Sequence, residues 1–319
     1  MLVGNADWHV SCTDRAMSTR KPQSSSLQAP ALFGPGASNA WTLVGGCTSL
    51  VRNAPPPRPI KLDASGDAIE FDLSRSALVV VDMQNDFCHP QGWFGQKGID
   101  VSPMRKPISV LERLLPVWRA AGAPVVWLNW GIRADRLNLP PSVQFKGKRS
   151  ASAVGYAERS PVDRGPSLVP GHWGAQQVDE LQPQDGDVVV YKHRLSGFWD
   201  NELDSVLRGL DRRTLFFAGV NTDRCVFSTL QDAGFLGYDC ILLADACSTP
   251  SPAYVTRAIH LIVRQLHGFV ARTPELIGAL SSKATRPPVK KPVRSQAKKS
   301  VASIAEDKTL SPRKRSKPR

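Results

Sequence analysis

Thr214-Leu215-Phe216-Phe217-Ala218-Gly219-Val220-Asn221-Thr222-Asp223-Arg224-Cys225-Val226 is the stretch on which the reading of this chain turns. Its first half is an apolar run, as in a strand buried on both faces, and the run ends at Gly219. A short turn follows, and Val226, Leu230 and Ala233 then open a helical spacing. The pattern places Cys225 on the first turn of a helix, at the carboxyl end of a strand. Unpaired amides and the positive end of the helix dipole favour a thiolate there, so a lowered thiol pKa is expected. Ligands of open α/β sheets bind at this same edge, which makes Cys225 a candidate nucleophile.

The flanking sequence repeats the alternation. Ala77–Asp82 and Pro124–Trp130 read as buried strands separated by a helix over Pro103–Ala121, where Ile108, Leu111, Leu115 and Trp118 share one face. Strand Asp187–Lys192 precedes helix Asn201–Gly209. Beyond Cys225, strand Asp239–Asp245, helix Pro252–His267 and a short strand Gly268–Ala271 complete the series. Strands alternating with helices specify a three-layer α/β fold: a mostly parallel sheet with helices on both faces. The connection from Gly131 to Gln176 is too long for a simple link and reads as a lid or an oligomer arm.

The domain therefore spans about residues 65–280. Residues 1–64, rich in Ser, Pro, Gly and Ala, are expected to be mostly irregular. Residues 281–319 are expected to be a disordered basic tail, because Lys, Arg, Pro and Ser leave little apolar surface to bury. The formal net charge of +13 belongs to that tail: residues 283–319 hold thirteen Lys or Arg against Glu306 and Asp307, leaving about +2 for the rest. Lacking interleaved aromatic residues, the tail fits weak, salt-sensitive, non-specific contact with polyanions at most. A purely binding protein acting through this tail is the remote alternative to an enzyme. No stretch approaches a membrane span, and a cytoplasmic protein is expected. The six cysteines show no zinc spacing and no disulfide framework. Cys240 and Cys247 read as core filler.

Three residues hold equivalent places on three strands: Asp82 after the first, Lys192 ending Val188–Tyr191, and Cys225 after Thr214–Gly219. All three should meet at one sheet edge. There Asp82 can take the thiol proton and return it to a leaving amine, Lys192 can supply positive charge, and backbone amides beside Cys225 can hold an oxyanion. Gln84, Phe87, Asn129, Arg194 and Trp199 flank the strand ends and are the expected substrate lining, with Arg194 the first choice to clamp a carboxylate. Asp86 reads as a loop-fixing carboxylate. His89 and His193 are left unassigned.

Asp82-Met83-Gln84-Asn85-Asp86-Phe87, then Lys192, then Gly219–Val226 resembles the isochorismatase-like cysteine hydrolase superfamily, over about residues 70–275. The resemblance implies six strands in the sheet, an Asp82–Lys192–Cys225 triad, a cis peptide between Val220 and Asn221, and a homo-oligomer, dimer or tetramer. It also implies a cysteine-dependent amidohydrolase acting on a small molecule. The presence of Cys225 disfavours the vinyl-ether chemistry of isochorismatases proper. The metal-binding Asp-x-His pair of nicotinamidases has no counterpart after the second strand; Asp7-Trp8-His9 imitates it before Asp82, where it is taken as coincidence. No metal or other cofactor is therefore expected. Val178–Leu181, Lys192–Phe198, Leu203–Ser205 and Cys225–Leu230 look most like ureidoacrylate amidohydrolases, and Asp86-Phe87-Cys88 is similar to biuret hydrolases. A ureidoacrylate-type substrate is favoured; biuret, N-carbamoylsarcosine or another small amide is the alternative.

Overall fold

The computed structural model describes residues 30–159 and 162–282. The described residues begin with three short strands, β1 (Ala31–Phe33), β2 (Trp41–Val44) and β3 (Cys47–Ser49), forming an antiparallel sheet. A hairpin follows, β4 (Pro59–Ala64) and β5 (Asp67–Asp72). Its two-residue loop places Ser65 at φ 56° and Gly66 at φ 102°, the left-handed pair that a tight hairpin turn requires. These strands correct the expectation of a mostly irregular segment to residue 64, over the part described. In β4, Ile60, Leu62 and Ala64 are buried while their neighbours are exposed, a period of two that the sequence does carry. In β1–β3 nearly every side chain is exposed, so no burial pattern announces them.

The central sheet begins at β6 (Ser76–Val81), followed by short helices α1 (Asn85–Cys88) and α2 (Trp93–Gln96) and the long helix α3 (Ser102–Ala120). Then come β7 (Val125–Trp130), α4 (Pro141–Lys148), β8 (Val188–Lys192), α5 (Leu203–Gly209) and β9 (Thr214–Val220). The series ends with α6 (Phe227–Phe235), β10 (Asp239–Ser248), α7 (Ala253–Ile262), β11 (Gly268–Ala271) and α8 (Thr273–Ser281). Helix α8 was not expected. Thr273 anchors its start by donating from its amide and its hydroxyl to Asp245 Oδ1, at 2.8 and 3.0 Å, and Leu276 and Leu280 are buried.

Six strands pair in the order β11-β10-β9-β6-β7-β8, every pair parallel. The chain steps outward from β6 to β8, then returns to the other side of β6 and steps outward again from β9 to β11. Right-handed crossovers running in opposite directions put their helices on opposite faces, so α3 covers one face and α5, α6 and α7 the other. Strands β6 and β9 are buried along their whole length, as their apolar runs require. Their carboxyl ends, where the strand order reverses, form the crevice in which such sheets bind ligands. Among the described residues no helix is long and apolar enough to cross a membrane. The basic tail from residue 283, and Asp7 and His9, lie outside the described residues.

Candidate active site

Val81 and Gly219 are register partners on β6 and β9, so Asp82 and the turn carrying Cys225 emerge side by side. The approach is close: a Cβ on Gly219 would lie 2.1 Å from the Val81 carbonyl oxygen, and its φ is 109°. Only glycine fits. Asp82 itself sits at φ 49°, an uncommon conformation for a residue with a side chain. Residues 222–226 form one wide turn in which Arg224 leaves helical geometry, and regular helix starts only at Phe227. Cys225 therefore lies just before α6 rather than on its first turn. Thr229 ties the turn down: its hydroxyl donates to the Cys225 carbonyl at 2.6 Å and accepts from the Gly197 amide at 3.0 Å. The Val220–Asn221 peptide is cis.

Lys192 arrives from two strands away. Trp130 is its register partner on β7, and Leu128, two residues earlier on β7, pairs with Val81 on β6. The lysine spans the intervening strand by passing over Trp130, with Nζ 4.1 Å from the ring centroid, and ends 3.1 Å from Asp82 Oδ2. It also donates to the Arg194 carbonyl at 3.3 Å. Asp82, Lys192 and Cys225 are 1%, 0% and 6% exposed, so the ion pair is shut off from water. In so dry a site the aromatic face and the carboxylate together hold the ammonium charge.

The electrostatics reverse one expectation. Burial, with the neighbouring Asp82 carboxylate second, pushes the Cys225 thiol up to about 12, while Lys192 acts in the opposite sense. The resting sulfur is a neutral thiol, because a dipole at a helix start cannot outweigh removal from water. Burial also raises the Asp82 carboxyl above the usual carboxylate range, opposed by Lys192 and by hydrogen bonding from the thiol. The arrangement is a protonated nucleophile beside a carboxylate made more basic, which suits proton transfer at the moment of attack.

Cys225 and Asn221 face a cavity of about 640 Å³, walled by Phe87, Trp93, Trp130 and Tyr156. Of the five residues expected to line it, only Phe87 does. Gln84 spends its amide on the fold: Nε2 donates to the Trp130 and Ala175 carbonyls, both at 2.8 Å, and Oε1 accepts from the Trp130 amide at 2.7 Å. Asn129 points to the opposite sheet face from Trp130, as alternation along a strand requires. Arg194 is held by Asp200 at 2.8 Å and by the Asn138 carbonyl at 2.6 Å. Trp199 lies 62% exposed, its indole bonded to Asp232. Asp86 does pin loops: it accepts from the Trp93 amide at 2.9 Å and the Leu168 amide at 2.6 Å.

Sequence reasoning missed Trp130 and Tyr156. Trp130 could have been found from its place at the end of a strand beside the one that Lys192 ends. Tyr156 carried no signal, since it lies deep in the long connection; its ring stacks on Trp130 at 5.9 Å and tilts against Trp93 at 4.8 Å. Among the described residues no group of three or more His, Cys, Asp or Glu is placed to hold a metal ion.

The model of the isochorismatase domain family matches residues 76–275. A cysteine hydrolase from Pseudomonas syringae pv. phaseolicola 1448A is 28% identical, with 66% of this chain and 94% of that one covered and a TM-score of 0.55. An isochorismatase family protein from Desulfovibrio vulgaris subsp. vulgaris str. Hildenborough is also 28% identical, covering 65% and 99%, with a TM-score of 0.53. An N-carbamoylsarcosine amidase from Thermoplasma acidophilum is 26% identical, covering 63% and 98%, with a TM-score of 0.49.

Proposed function

Since the chain belongs to the isochorismatase domain family, we propose that it is a cysteine-dependent amidohydrolase that cleaves a non-peptide C–N bond of a small ureido, carbamoyl or amide compound, with a ureidoacrylate-type substrate favoured. The observation that carries this reading is the buried Asp82–Lys192 pair at 3.1 Å with the Cys225 thiol beside it at the cavity floor.

In this reading Cys225 attacks the carbonyl carbon as its proton passes to Asp82. Backbone amides of the Asn221–Cys225 turn hold the negative oxygen that develops. The C–N bond breaks as Asp82 returns the proton to the leaving nitrogen, which departs as an amine or ammonia. A thioester, or a thiocarbamate from a ureide, remains on the sulfur. Water, deprotonated by Asp82, then attacks the same carbon, and the proton goes back to the thiol as the C–S bond breaks. Throughout, Lys192 balances the carboxylate charge without entering the bonds that change.

The test is ammonia release from ureidoacrylate, biuret, N-carbamoylsarcosine, nicotinamide and a simple aliphatic amide. Cys225→Ala is expected to abolish turnover while circular dichroism stays unchanged. Equal turnover by the alanine variant would remove the covalent mechanism.

A further inference from the structure

Resting on that amidohydrolase reading, we infer that the cavity selects a small acid: a molecule with a primary amide or ureido group at its inner end, an apolar or conjugated middle, and a carboxylate at the outer end, received by Lys146 and Arg149. Three zones of the cavity support this order.

The floor asks for an amide. Asn221 Oδ1, an acceptor, and Trp130 Nε1, a donor, are buried without a hydrogen-bond partner among the described residues, and both residues line the cavity beside Cys225. A ligand that offers both N–H and C=O at its inner end satisfies both; an ester leaves the acceptor unpaired, which a water-excluded site penalises. The aromatic wall follows and suits a flat or apolar segment.

The mouth is positive. Lys97, Lys146, Arg149 and Arg224 belong to the lining, with Lys146 and Arg149 on its exposed side, and among the described residues no Asp or Glu joins them. The excess is local, because the chain outside its basic tail carries only about +2. Other charges nearby are neutralised: Lys148, on the same helix as Lys146, is paired with Glu158 at 2.8 Å. Lys146 and Arg149 form no ion pair among the described residues. Arg224 has a carboxylate only at 3.9 Å, that of Asp223, which accepts from the Thr249 and Ser251 hydroxyls. Burial and the charge of Arg149 both lower the Lys97 pKa, so these cations feel one another. A cleft lined by one sign of charge concentrates a ligand of the other.

The test measures binding, so that it stands apart from turnover. Calorimetry on the full-length Cys225→Ala protein compares two matched pairs: 3-ureidopropionate with n-butylurea, and 3-ureidoacrylate with its methyl ester. Each acid is expected to bind about tenfold more tightly than its neutral partner at low salt, with the preference shrinking as ionic strength rises to about 0.5 M. Adding Lys146→Ala and Arg149→Ala, both at solvent-exposed positions, should remove most of the preference, with the acids losing far more affinity than the neutral ligands. Equal affinity for acid and neutral partner, a preference insensitive to salt or to the double substitution, or no binding of either acid would overturn the inference. Turnover by the unsubstituted enzyme is read separately. Preferential acid binding without ammonia release would sink the amidohydrolase reading and leave the anion site standing. Ammonia release from the neutral ureas with the same kcat/KM as from the acids would overturn the anion site alone.

Discussion

The floor and the wall of the cavity are built in different ways. The floor residues Asp82, Lys192 and Cys225 stand at the ends of β6, β8 and β9, fixed by strand register and by a glycine that admits no side chain. Much of the wall and mouth comes from α2 and from the connection between β7 and β8, which contributes Lys146, Arg149 and Tyr156. What holds that wall to the floor includes a few specific contacts: the Asp86 carboxylate bonded to the Trp93 and Leu168 amides, and the Tyr156 ring stacked on Trp130. The difference implies a division of labour, with chemistry on the sheet and selection on the loops, as scaffold and loop commonly share a site. Substitutions on the floor should then depress kcat, and substitutions on the wall should act mainly through KM.

The largest effect expected, after loss of the nucleophile, is from Asp82→Asn. Removing the proton acceptor should lower kcat by about a thousandfold. It also leaves Lys192 buried without its counter-charge, a loss of about 3–5 kcal/mol, seen as a lower urea midpoint. A fall of only a few-fold in kcat would take Asp82 out of the chemistry. Lys192→Met comes next, with a loss of about a hundredfold and a characteristic pH signature. The raised Asp82 pKa means that activity is present above that value and lost as pH falls through it, at a pH above the ordinary 3.8. Lys192 opposes that rise, so its removal should move the acid limb of kcat/KM to still higher pH. An unmoved limb would mean that another group sets it.

The same division decides what could be read from the sequence. Parallel strands announce themselves as unbroken apolar runs, and residues at their carboxyl ends must converge, so Asp82, Lys192 and Cys225 could be brought together before any coordinates. An unbroken apolar run hides which of its residues face which side. Val125–Trp130 is buried throughout, and nothing in it distinguishes Asn129 from Trp130. A shift of one residue exchanges the faces of a strand, so the wrong neighbour was assigned to the cavity. Tyr156, Lys146 and Arg149 were harder still. Their positions depend on loop anchoring by Asp86, whose two partners, Trp93 and Leu168, lie 7 and 82 residues away. The sequence offers no local cue for the second. The thiol departs from its expected pKa for a different reason: nearness to a helix start is legible locally, whereas the burial that dominates its pKa is a property of the finished fold.

Asp86→Ala tests the anchor between the two regions. It strands two loop amides that donate to a buried carboxylate, so about 2 kcal/mol of stability should be lost. With the wall loosened and the triad untouched, KM should rise by about tenfold while kcat stays within about threefold. A collapse of kcat with KM unchanged would show that Asp86 supports the floor instead, and the two regions would have to be treated as one.

Tyr156→Phe should give the smallest change and is the sharpest probe of the boundary. The ring packs against Trp93 and Trp130, and it lies so close to α4 that a Cβ on Gly147 would sit 2.2 Å from its Cε2. Phenylalanine preserves all of that packing and removes only the hydroxyl. Burial raises the phenol pKa, so the group is neutral at working pH and can act only as an ordinary hydrogen-bond partner. The loss of one such bond is worth about 1 kcal/mol, or roughly fivefold in kcat/KM. Tyr156→Ala, which opens the wall, should cost more, and chiefly in KM. The Asp82 carboxylate, and negative charge developing on the Cys225 sulfur, would nevertheless reach the hydroxyl, which makes the opposite result informative. If Phe proved as damaging as Lys192→Met, with the loss all in kcat, the phenol would belong to the reacting group. A loop residue would then be doing the work assigned to strand ends, and the division between floor and wall would fail at Tyr156.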